Sequence, residues 1–440
     1  MFGFPVPVFR AVRSRSLSFT KTTNMRIAVV GCSHGHLDQI YKTIHRVDQE
    51  AKRRGELPVE LLLCCGDFQA HRCNADLYTM KAPAKFRLLN DFHNYYAGRK
   101  RAPVLTLVIG GNHEATSHLW ECYHGGWLAP NIYFLGQAGS VLVDGWLRVA
   151  GASGIWKACD WKKGHFERIP YIPSTLSSAY HVREYDTTRL MQLAGGPKVD
   201  IFMSHDWPRA IEKHGDTKQL LLENPRFKTN VLSNTLGSPP LESILNTVKP
   251  ERWCSGHMHV RFTAEVQHGN KRIPEQARTT KFLALDKPGE GRPFLEVIEV
   301  PRPPTATLES PLSGSGGPKL FFDPHWLAIV RAFAPYLPLE EQATPLPPAD
   351  QVPQLLAEAA EWIKENVKGT PEDNGLKAID DVQVFKRTAP PTKSASAAED
   401  TNKTPQAYVN PQTEAFCQML GIPNAIGEEV RRGQVQKTAV

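Results

Sequence analysis

The feature that most constrains this chain is a recurring pattern in which a short apolar run ends in a turn with metal-ligating side chains. The clearest case begins with residues 104–109, whose largely β-branched side chains predict a buried strand. Gly110 and Gly111 then permit a sharp turn, which sets Asn112 and His113 at the carboxyl end of that strand. Open α/β sheets usually carry their chemistry at this edge. We therefore expect Asn112 to offer a metal ligand and His113 to move a proton.

Four more predicted strands end in the same way. Residues 25–30 precede Cys32 and His34, residues 59–64 precede Asp67, residues 200–203 precede His205, and residues 251–255 precede His257 and His259. The first two strands are separated by helical spacing over residues 37–54, and this rhythm predicts a layered α/β fold. We expect the side chains at the five strand ends to form one metal site along an edge of the sheet.

Taken singly, each of these residues has a simpler explanation. A lone histidine such as His205 is more often a hydrogen-bonded structural residue, Asp67 could belong to an ordinary turn, and Cys32 could be a buried small side chain. His257 and His259 would point to opposite faces of an extended strand, so they can converge only on a turn or by serving different ions. The joint occurrence of all five groups after predicted strands favours a two-metal hydrolase with a bridging carboxylate.

The composition permits a polyanionic substrate. The formal charge is +7, and residues 1–24 contain four basic residues and no acid, so any basic surface must be local. The eight cysteines show no CxxC spacing, which suits a reducing compartment. No apolar run approaches the ~18 residues of a membrane span. The leader has the composition of a mitochondrial transit segment, but Pro5 and Pro7 would interrupt its helix, so we favour a disordered or untranslated leader ahead of Met25.

Residues 151–171 differ from their surroundings because aromatic and basic side chains are interleaved there without a clear period. Candidate contacts for a nucleic acid are Trp156, Lys157, Trp161, Lys162, Lys163, His165 and Tyr171. Aromatic faces among cations suit a splayed nucleobase and its phosphates. The alternative is a packed surface loop held together by its tryptophans.

The composition changes at Pro301. Residues 301–318 are rich in Pro, Ser and Gly, which predicts a linker. Beyond it, helical pieces separated by Pro-rich and disordered sequence predict a smaller, mostly helical C-terminal region. The predicted divisions are a leader, a catalytic domain, a linker and a C-terminal region, over residues 1–24, 25–300, 301–318 and 319–440.

The motif order C/D-x-H, GD, GNH, H and GHxH resembles that of the calcineurin-like metallophosphoesterase superfamily, which implies a sandwich of two mixed β-sheets flanked by helices. More narrowly, the chain resembles the RNA lariat debranching enzyme family in the motifs GCSHG, CGDFQA, GGNHE, GGWLAPNIY, SHDWP and CSGHMH, at residues 31–35, 65–70, 110–114, 125–133, 204–208 and 254–259. This resemblance covers residues 25–300 and continues weakly at residues 322–327 and 410–413. Most members of the superfamily have Asp where this chain and the narrower family have Cys32.

The resemblance implies a role for each candidate residue. Cys32, His34 and His259 would hold one metal ion, Asn112, His205 and His257 would hold the other, Asp67 would bridge them, and His113 would protonate the leaving oxygen. Residues 151–171 would correspond to the lariat-recognition loop of the family. A soft thiolate at Cys32 favours Fe(II) or Zn(II), with Mn(II) as the compromise in a carboxylate-bridged pair. The alternative is that Cys32 is buried without coordinating a metal.

The expected function is hydrolysis of the 2′-5′ phosphodiester at the branch point of excised intron lariats, in mRNA processing and intron turnover. The alternatives are a general metal-dependent phosphodiesterase or nuclease of the same fold and a non-catalytic scaffold. The expected partner is branched intron RNA rather than a membrane, and splicing or RNA-turnover proteins would bind the C-terminal region. The family's substrate predicts a nuclear location, with the cytoplasm as a second location and mitochondrial targeting by the leader as a weaker alternative.

Overall fold

The computed structural model describes residues 24–269, 278–304, 317–392 and 405–438, with side chains as far as residue 432. The predicted leader lies outside these ranges apart from Asn24, as do residues 305–316 of the predicted linker. Residues 393–404, which belong to the C-terminal sequence predicted to be disordered, also lie outside them.

The described residues form two mixed β-sheets that pack face to face. The strands are β1 Asn24–Val30, β2 Leu61–Cys64, β3 Leu105–Val108, β4 Gly126–Ala129, β5 Ile132–Phe134, β6 Ala138–Val143, β7 Leu147–Ala152, β8 Ile201–Ser204, β9 Arg252–Ser255, β10 Phe262–His268, β11 Arg278–Ala284, β12 Leu295–Pro301 and β13 Leu320–Phe322. One sheet has six strands in the order β12-β1-β2-β3-β5-β4, and the other has seven in the order β10-β11-β9-β8-β7-β6-β13. Both contain parallel and antiparallel pairs, which confirms the predicted fold class.

Helices cover the outer faces of the sheets. They are α1 Leu37–Arg53, α2 Phe92–Tyr96, α3 Thr116–Glu121, α4 Pro173–Ser178, α5 Glu184–Met191, α6 Thr217–Glu223, α7 Lys228–Leu232, α8 Pro239–Val248, α9 Pro324–Phe333, α10 Val352–Asn366, α11 Pro411–Leu420 and α12 Ala425–Thr438. None of the described helices combines the length and the apolar character needed to cross a membrane.

Strand β1 is buried on both faces. Ile27 and Val29 belong to the core between the two sheets, whereas Ala28 and Val30 pack with the apolar side of α1. Because successive side chains of a strand point to opposite faces, a strand covered on both sides is a continuous apolar run in the sequence. The same reasoning holds for β2 and β3, and it explains why these strands lie close to where the sequence predicts them. Their carboxyl ends therefore point into one shared edge.

The residues after 318 share the core of the catalytic domain. Strand β13 pairs with β6 and extends the seven-stranded sheet. Trp326 and Phe333 of α9 and Phe416 of α11 belong to the same buried apolar cluster as Ile27 and Val29 of β1. The Gln412 side chain accepts the Trp127 backbone N–H at 2.8 Å and donates to the Trp127 carbonyl at 2.9 Å, which joins α11 to β4. Within the part of the chain that the structure describes, the C-terminal region thus packs as part of the same fold as the catalytic domain.

Candidate metal centre

Asp67 lies at the centre of the site, in the turn that follows β2. Its Oδ2 is 3.6 Å from His34 Nε2, and its Oδ1 is 3.4 Å from His205 Nε2. The two carboxylate oxygens therefore face different imidazoles, as a bridging ligand requires. Burial would raise the pKa of Asp67, but the charges of His205, His34 and His113 outweigh it and hold that pKa well below its usual range. The carboxylate is consequently ionised and available to a cation.

One side of Asp67 faces Cys32, His34 and His259. One ligand atom from each of these four residues lies within 4.8 Å of the others. The Nε2 atoms of His34 and His259 are 3.1 Å apart. Burial, followed by the charge of Asp67, raises the pKa of the Cys32 thiol, while the backbone N–H of His257 donates to its Sγ at 3.0 Å and favours the thiolate. Sulfur, nitrogen and oxygen donors at this separation fit a divalent transition metal.

The other side of Asp67 faces His205, Asn112 and His257. His205 Nδ1 donates to the Cys65 carbonyl at 2.8 Å, so the Nε2 atom of the neutral ring carries a lone pair. That Nε2 lies 3.1 Å from Asn112 Oδ1, and the His257 ring centroid lies 4.9 Å from the His205 centroid. Lone pairs of His205, Asn112 and Asp67 therefore converge without a proton between them, which fits a second cation.

His257 and His259 follow β9 in a tight turn. Their φ angles of 65° and 52° lie in the left-handed region, so the alternation of an extended strand does not apply to them. The ring of His257 lies beside His205, whereas the ring of His259 lies 5.1 Å from that of His34. The sequence spacing of His257 and His259 left two possibilities, a turn that brings them together or binding to different ions. The structure combines the two, because the residues form a turn and each histidine faces a different half of the site.

The absence of a side chain at Gly66 and Gly111 allows the strand-end loops to approach one another. A Cβ on Gly66 would lie 2.3 Å from His205 Nδ1, and a Cβ on Gly111 would lie 2.3 Å from the Asp67 backbone nitrogen. Any larger residue would push the ligands apart. The glycines in the Gly-Asp and Gly-Gly-Asn-His motifs are therefore needed for the candidate metal ligands to lie close to one another.

Glu114 joins two of these loops from behind, although the sequence pattern alone did not single it out. Its carboxylate accepts backbone N–H groups from Phe68 and Gln69 at 2.7 Å and from Gly111 at 2.8 Å. Burial, and then the charge of Asp67, raises the pKa of Glu114 to about 8, while the three N–H donors lower it. The available signal was its position directly after His113 in the motif. Glu114 fixes the Asp67 loop to the Asn112 loop.

His113 lies beside the two groups of candidate metal ligands on either side of Asp67, which we call the two donor sets. Two of its atoms are fixed by hydrogen bonds. Its ring Nδ1 donates to the Lys81 carbonyl at 2.8 Å, and its backbone N–H donates to Asp67 Oδ1 at 2.8 Å. The ring is half-buried, and its centroid is 5.9 Å from that of His34. Among the described residues, Nε2 of His113 has no hydrogen-bond partner, so this atom is the one available to a substrate.

Comparison with known proteins agrees with this geometry. The calcineurin-like phosphoesterase model matches residues 25–261, and the model described as lariat debranching enzyme, C-terminal domain matches residues 277–425. A lariat debranching enzyme from Arabidopsis thaliana is 41% identical over 91% of this chain and 87% of its own length. The chain belongs to the lariat debranching enzyme family. Family members from Homo sapiens and Gallus gallus are 44% and 42% identical, over 90% of this chain and 69% and 70% of their own lengths.

The structure brings some of the residues that we assigned to the recognition loop, residues 151–171, to the surface. Lys157 and Lys162 are exposed, and Trp156, Trp161 and Tyr171 are half-buried. The Arg209 guanidinium lies over the Trp156 ring at 5.5 Å. Tyr171 lines a small pocket whose wall includes Gly110, Gly111, Trp120 and Tyr180. In this lariat debranching enzyme family member, residues 151–171, predicted to be the recognition loop, therefore adjoin the loop that carries Asn112 and His113.

Two of the predicted RNA contacts already have partners inside the protein. His165 is only 2% exposed, and its Nε2 lies 2.7 Å from Asp186 Oδ2. The prediction that His165 binds RNA is therefore wrong, because its ring is enclosed and its polar atom is engaged. Lys163 pairs with Asp160 at 3.2 Å and with Glu341 at 2.8 Å. An ammonium between two carboxylates has little attraction left for a phosphate.

Proposed function

We propose that this chain hydrolyses the 2′-5′ phosphodiester at the branch nucleotide of intron lariats, as a metal-dependent phosphodiesterase. The observation that carries this proposal is Asp67, whose two oxygens face two separate donor sets with His113 beside them. The similarity of this chain, over most of its length, to enzymes named lariat debranching enzyme supports the choice of the 2′-5′ linkage as the bond that is hydrolysed.

The two donor sets would hold different ions. Cys32, His34 and His259 offer a soft sulfur together with imidazole, which favours Fe(II) or Zn(II), and Mn(II) suits a carboxylate-bridged pair. Asn112, His205 and His257 offer harder ligands on the far side of Asp67. A bound pair of ions would supply Lewis-acid stabilisation of the charge on the phosphoryl oxygens and would activate the attacking water.

His113 would act as the general acid. The hydrogen bonds to the Lys81 carbonyl and to Asp67 fix the ring plane and its distance from the donor sets. Once protonated, Nε2 can pass its proton to the departing 2′ oxygen, which is a poor leaving group when it leaves as an anion.

Selection of the 2′-5′ linkage would depend on how the branch nucleotide is held, because a metal pair meets similar phosphates in both linkages. Exposed Lys157 and Lys162 are placed to contact phosphates. Trp156, Trp161 or Tyr171 would stack a base near the branch. Tyr171 shares a pocket with Gly110 and Gly111, which precede Asn112.

The decisive experiment is cleavage of a synthetic RNA that carries one 2′-5′ and one 3′-5′ linkage at the same adenosine, with Mn(II) or Fe(II). We expect loss of the 2′-5′ branch alone, and His113→Ala should lower kcat by about 10² to 10⁴-fold with its metal content retained. A small aryl phosphodiester needs no proton on its leaving group, so its hydrolysis should fall much less.

The alternatives give different results in this assay. Cleavage of both linkages would indicate a general nuclease of the same fold. No cleavage, together with no metal bound to the purified protein, would indicate a scaffold. Full activity of His113→Ala on branched RNA would remove His113 from the mechanism.

We also propose a nuclear location, because intron lariats are produced there, and a part in mRNA processing and intron turnover. Binding of splicing or RNA-turnover proteins to the C-terminal region remains a prediction. Imaging of the full chain with a C-terminal tag tests the location, and import into mitochondria would favour the targeting interpretation of the leader.

A further inference from the structure

Three exposed apolar or aromatic side chains lie in one short stretch that is attached to the active site. Tyr78, Phe86 and Leu88 are 40%, 57% and 57% exposed. Ile172 is 59% exposed and precedes Pro173, whose carbonyl accepts a hydrogen bond from Lys81. An isolated exposed apolar residue needs no explanation, but a group of them next to a functional site indicates a binding surface. Phe86 is the most exposed aromatic side chain of this group.

The same stretch is basic. No Asp or Glu occurs between Asp76 and Asp91, whereas Lys81, Lys85 and Arg87 do. In the part of the chain that the structure describes, the contacts of these three cations are with neutral groups: Lys81 Nζ donates to the Pro173 carbonyl, Arg87 Nε donates to the Ala82 carbonyl, and Lys85 Nζ lies 5.0 Å from the Phe86 ring centroid. Their positive charge is therefore available to an anionic partner.

Both ends of residues 81–90, which we call the 81–90 segment, are attached to residues of the metal centre. At one end the Lys81 carbonyl accepts the hydrogen bond from His113 Nδ1 at 2.8 Å. At the other end Asn90 Nδ2 donates to the His34 carbonyl at 3.3 Å and to Gln69 Oε1 at 3.1 Å. Phe86 lies between these anchors.

The length of the chain limits how far Phe86 can be from the centre. It is five residues from Lys81 and four from Asn90 in the sequence. A fully extended chain spans about 3.3 to 3.6 Å per residue, so the Phe86 backbone lies within about 18 Å of each anchor. A nucleotide close to a phosphate at the metal centre can therefore reach the exposed ring.

We propose that the 81–90 segment is a second RNA-binding element, in which Phe86 stacks on a base of the intron next to the branch and Lys85 contacts the adjoining phosphate; this inference rests on the proposed debranching function. Every base has a π face, so an exposed aromatic ring beside unpaired cations suits a single strand of any sequence. This surface lies across Lys81 and Pro173 from the recognition loop. The substrate would thus be held from two sides.

The test uses the metal-loaded protein and a branched RNA whose 2′-5′ linkage is replaced by a non-hydrolysable methylene phosphonate. Phe86→Ala should raise the Kd for this RNA about 5- to 150-fold, which is the effect of losing one stacked base. Phe86→Trp should restore tight binding, because it keeps an aromatic face. Lys85→Ala should reduce the slope of log K against log salt concentration by about 0.7, which corresponds to one phosphate contact on a single strand.

Leu88→Ala is the matched control, because Leu88 is as exposed as Phe86 and is apolar but has no π face. Its Kd should stay near that of the unsubstituted protein. An unchanged Kd for Phe86→Ala, or equal losses for Phe86→Ala and Leu88→Ala, would overturn the proposal, and equal losses would mean that the two side chains act through apolar packing rather than base stacking.

A structural role and a failure of the proposed function can both be recognised. If Phe86→Ala lowered hydrolysis of a small aryl phosphodiester as much as it weakened RNA binding, the segment would only support His113, and the inference would be overturned. Failure of the unsubstituted protein to cleave a natural 2′-5′ branch would reject the proposed function. If the unsubstituted protein cleaves the branch and Phe86→Ala binds the analogue normally, only this inference fails.

Discussion

The strand-end loops of the metal centre and the recognition loop contain chemically suggestive residues in similar density, but the structure uses them differently. In the metal centre, the side-chain oxygen and nitrogen atoms of Asp67, His34 and His205 that could bind a metal lie close to one another. In the recognition loop, His165 and Lys163 are bound to carboxylates of the protein itself. The grouped ligand atoms of the metal centre therefore require cations, whereas the charged groups of the recognition loop are largely neutralised by carboxylates of the protein.

The difference lies in the backbone. The metal ligands follow buried strands whose hydrogen-bonded register leaves little freedom, so the end of each strand fixes where the next side chain lies. The recognition loop has such a register only at Gly151 and Ala152, which belong to β7, and beyond them only isolated bridges at Ile155 and Lys163. Most of its cations can therefore turn toward the nearest carboxylate. Residue type therefore predicts a site where paired strands bring the side chains at their ends together, and it predicts much less in a long loop.

The largest effect that tests this comparison is expected at Asp67. Asp67→Asn removes the charge and one of the two oxygens that face the donor sets, so we expect activity on branched RNA to fall by more than about 10³-fold and bound metal to be lost. Elemental analysis and single-turnover cleavage measure the two losses. Asp200→Asn is the control, because Asp200 precedes β8 at the opposite end from His205 and only accepts the Arg148 N–H at 2.8 Å. Metal-replete, active Asp67→Asn protein would show that convergence at the strand ends does not create the site.

The second effect concerns the support of the metal loops. Glu114→Ala leaves three buried N–H groups without an acceptor, and we expect it to lower the free energy of unfolding by at least about 3 kcal/mol. Metal affinity should weaken by about 10- to 100-fold, because the loops that carry Asp67 and Asn112 lose their connection. Denaturant titration and metal competition measure these changes. Glu114→Gln keeps one acceptor oxygen and should recover part of both, and equal damage from the two substitutions would argue against this role.

The third effect is pH dependence. His118 donates from Nδ1 to the Ala70 carbonyl and so supports the loop after Asp67, and burial, followed by the Arg72 charge, lowers its pKa to about 3. The folded pKa lies below the ordinary value of about 6.5, so this stabilisation is complete above pH 6.5 and is lost as the pH falls toward 3. The expected loss from His118 at pH 5 is about 2 kcal/mol. His118→Asn should lose correspondingly less stability between pH 7 and pH 5, and an identical loss in both proteins would assign the acid sensitivity to other groups.

Much of the fold and of the metal site could be predicted because both depend on short segments. An apolar run with two buried faces identifies β1, β2 and β3, and the next few residues are then the candidate ligands. Glu114 was missed because its function is to accept backbone hydrogen bonds from residues that lie 45 and 46 positions away in the sequence. The Gln412 contact with β4 joins residues 285 positions apart, and no local pattern reports such a pairing. The 81–90 segment was missed because only its exposure and its anchors distinguish it.

The smallest effect compares lysines within the recognition loop and separates residue type from environment most directly. Lys157→Ala and Lys162→Ala should each weaken binding of branched RNA by about two- to fivefold and reduce the salt slope by about 0.7, since each removes an exposed charge. Lys163→Ala should change that affinity by less than about twofold, because Asp160 and Glu341 already neutralise the ammonium. All three substitutions remove the same charge from the same loop, so the net-charge change cannot account for a difference among them. Salt-dependent binding curves for the three variants measure these differences. Equal losses of affinity would mean that RNA displaces both carboxylates from Lys163, so that the ion pairs of the loop open when RNA binds.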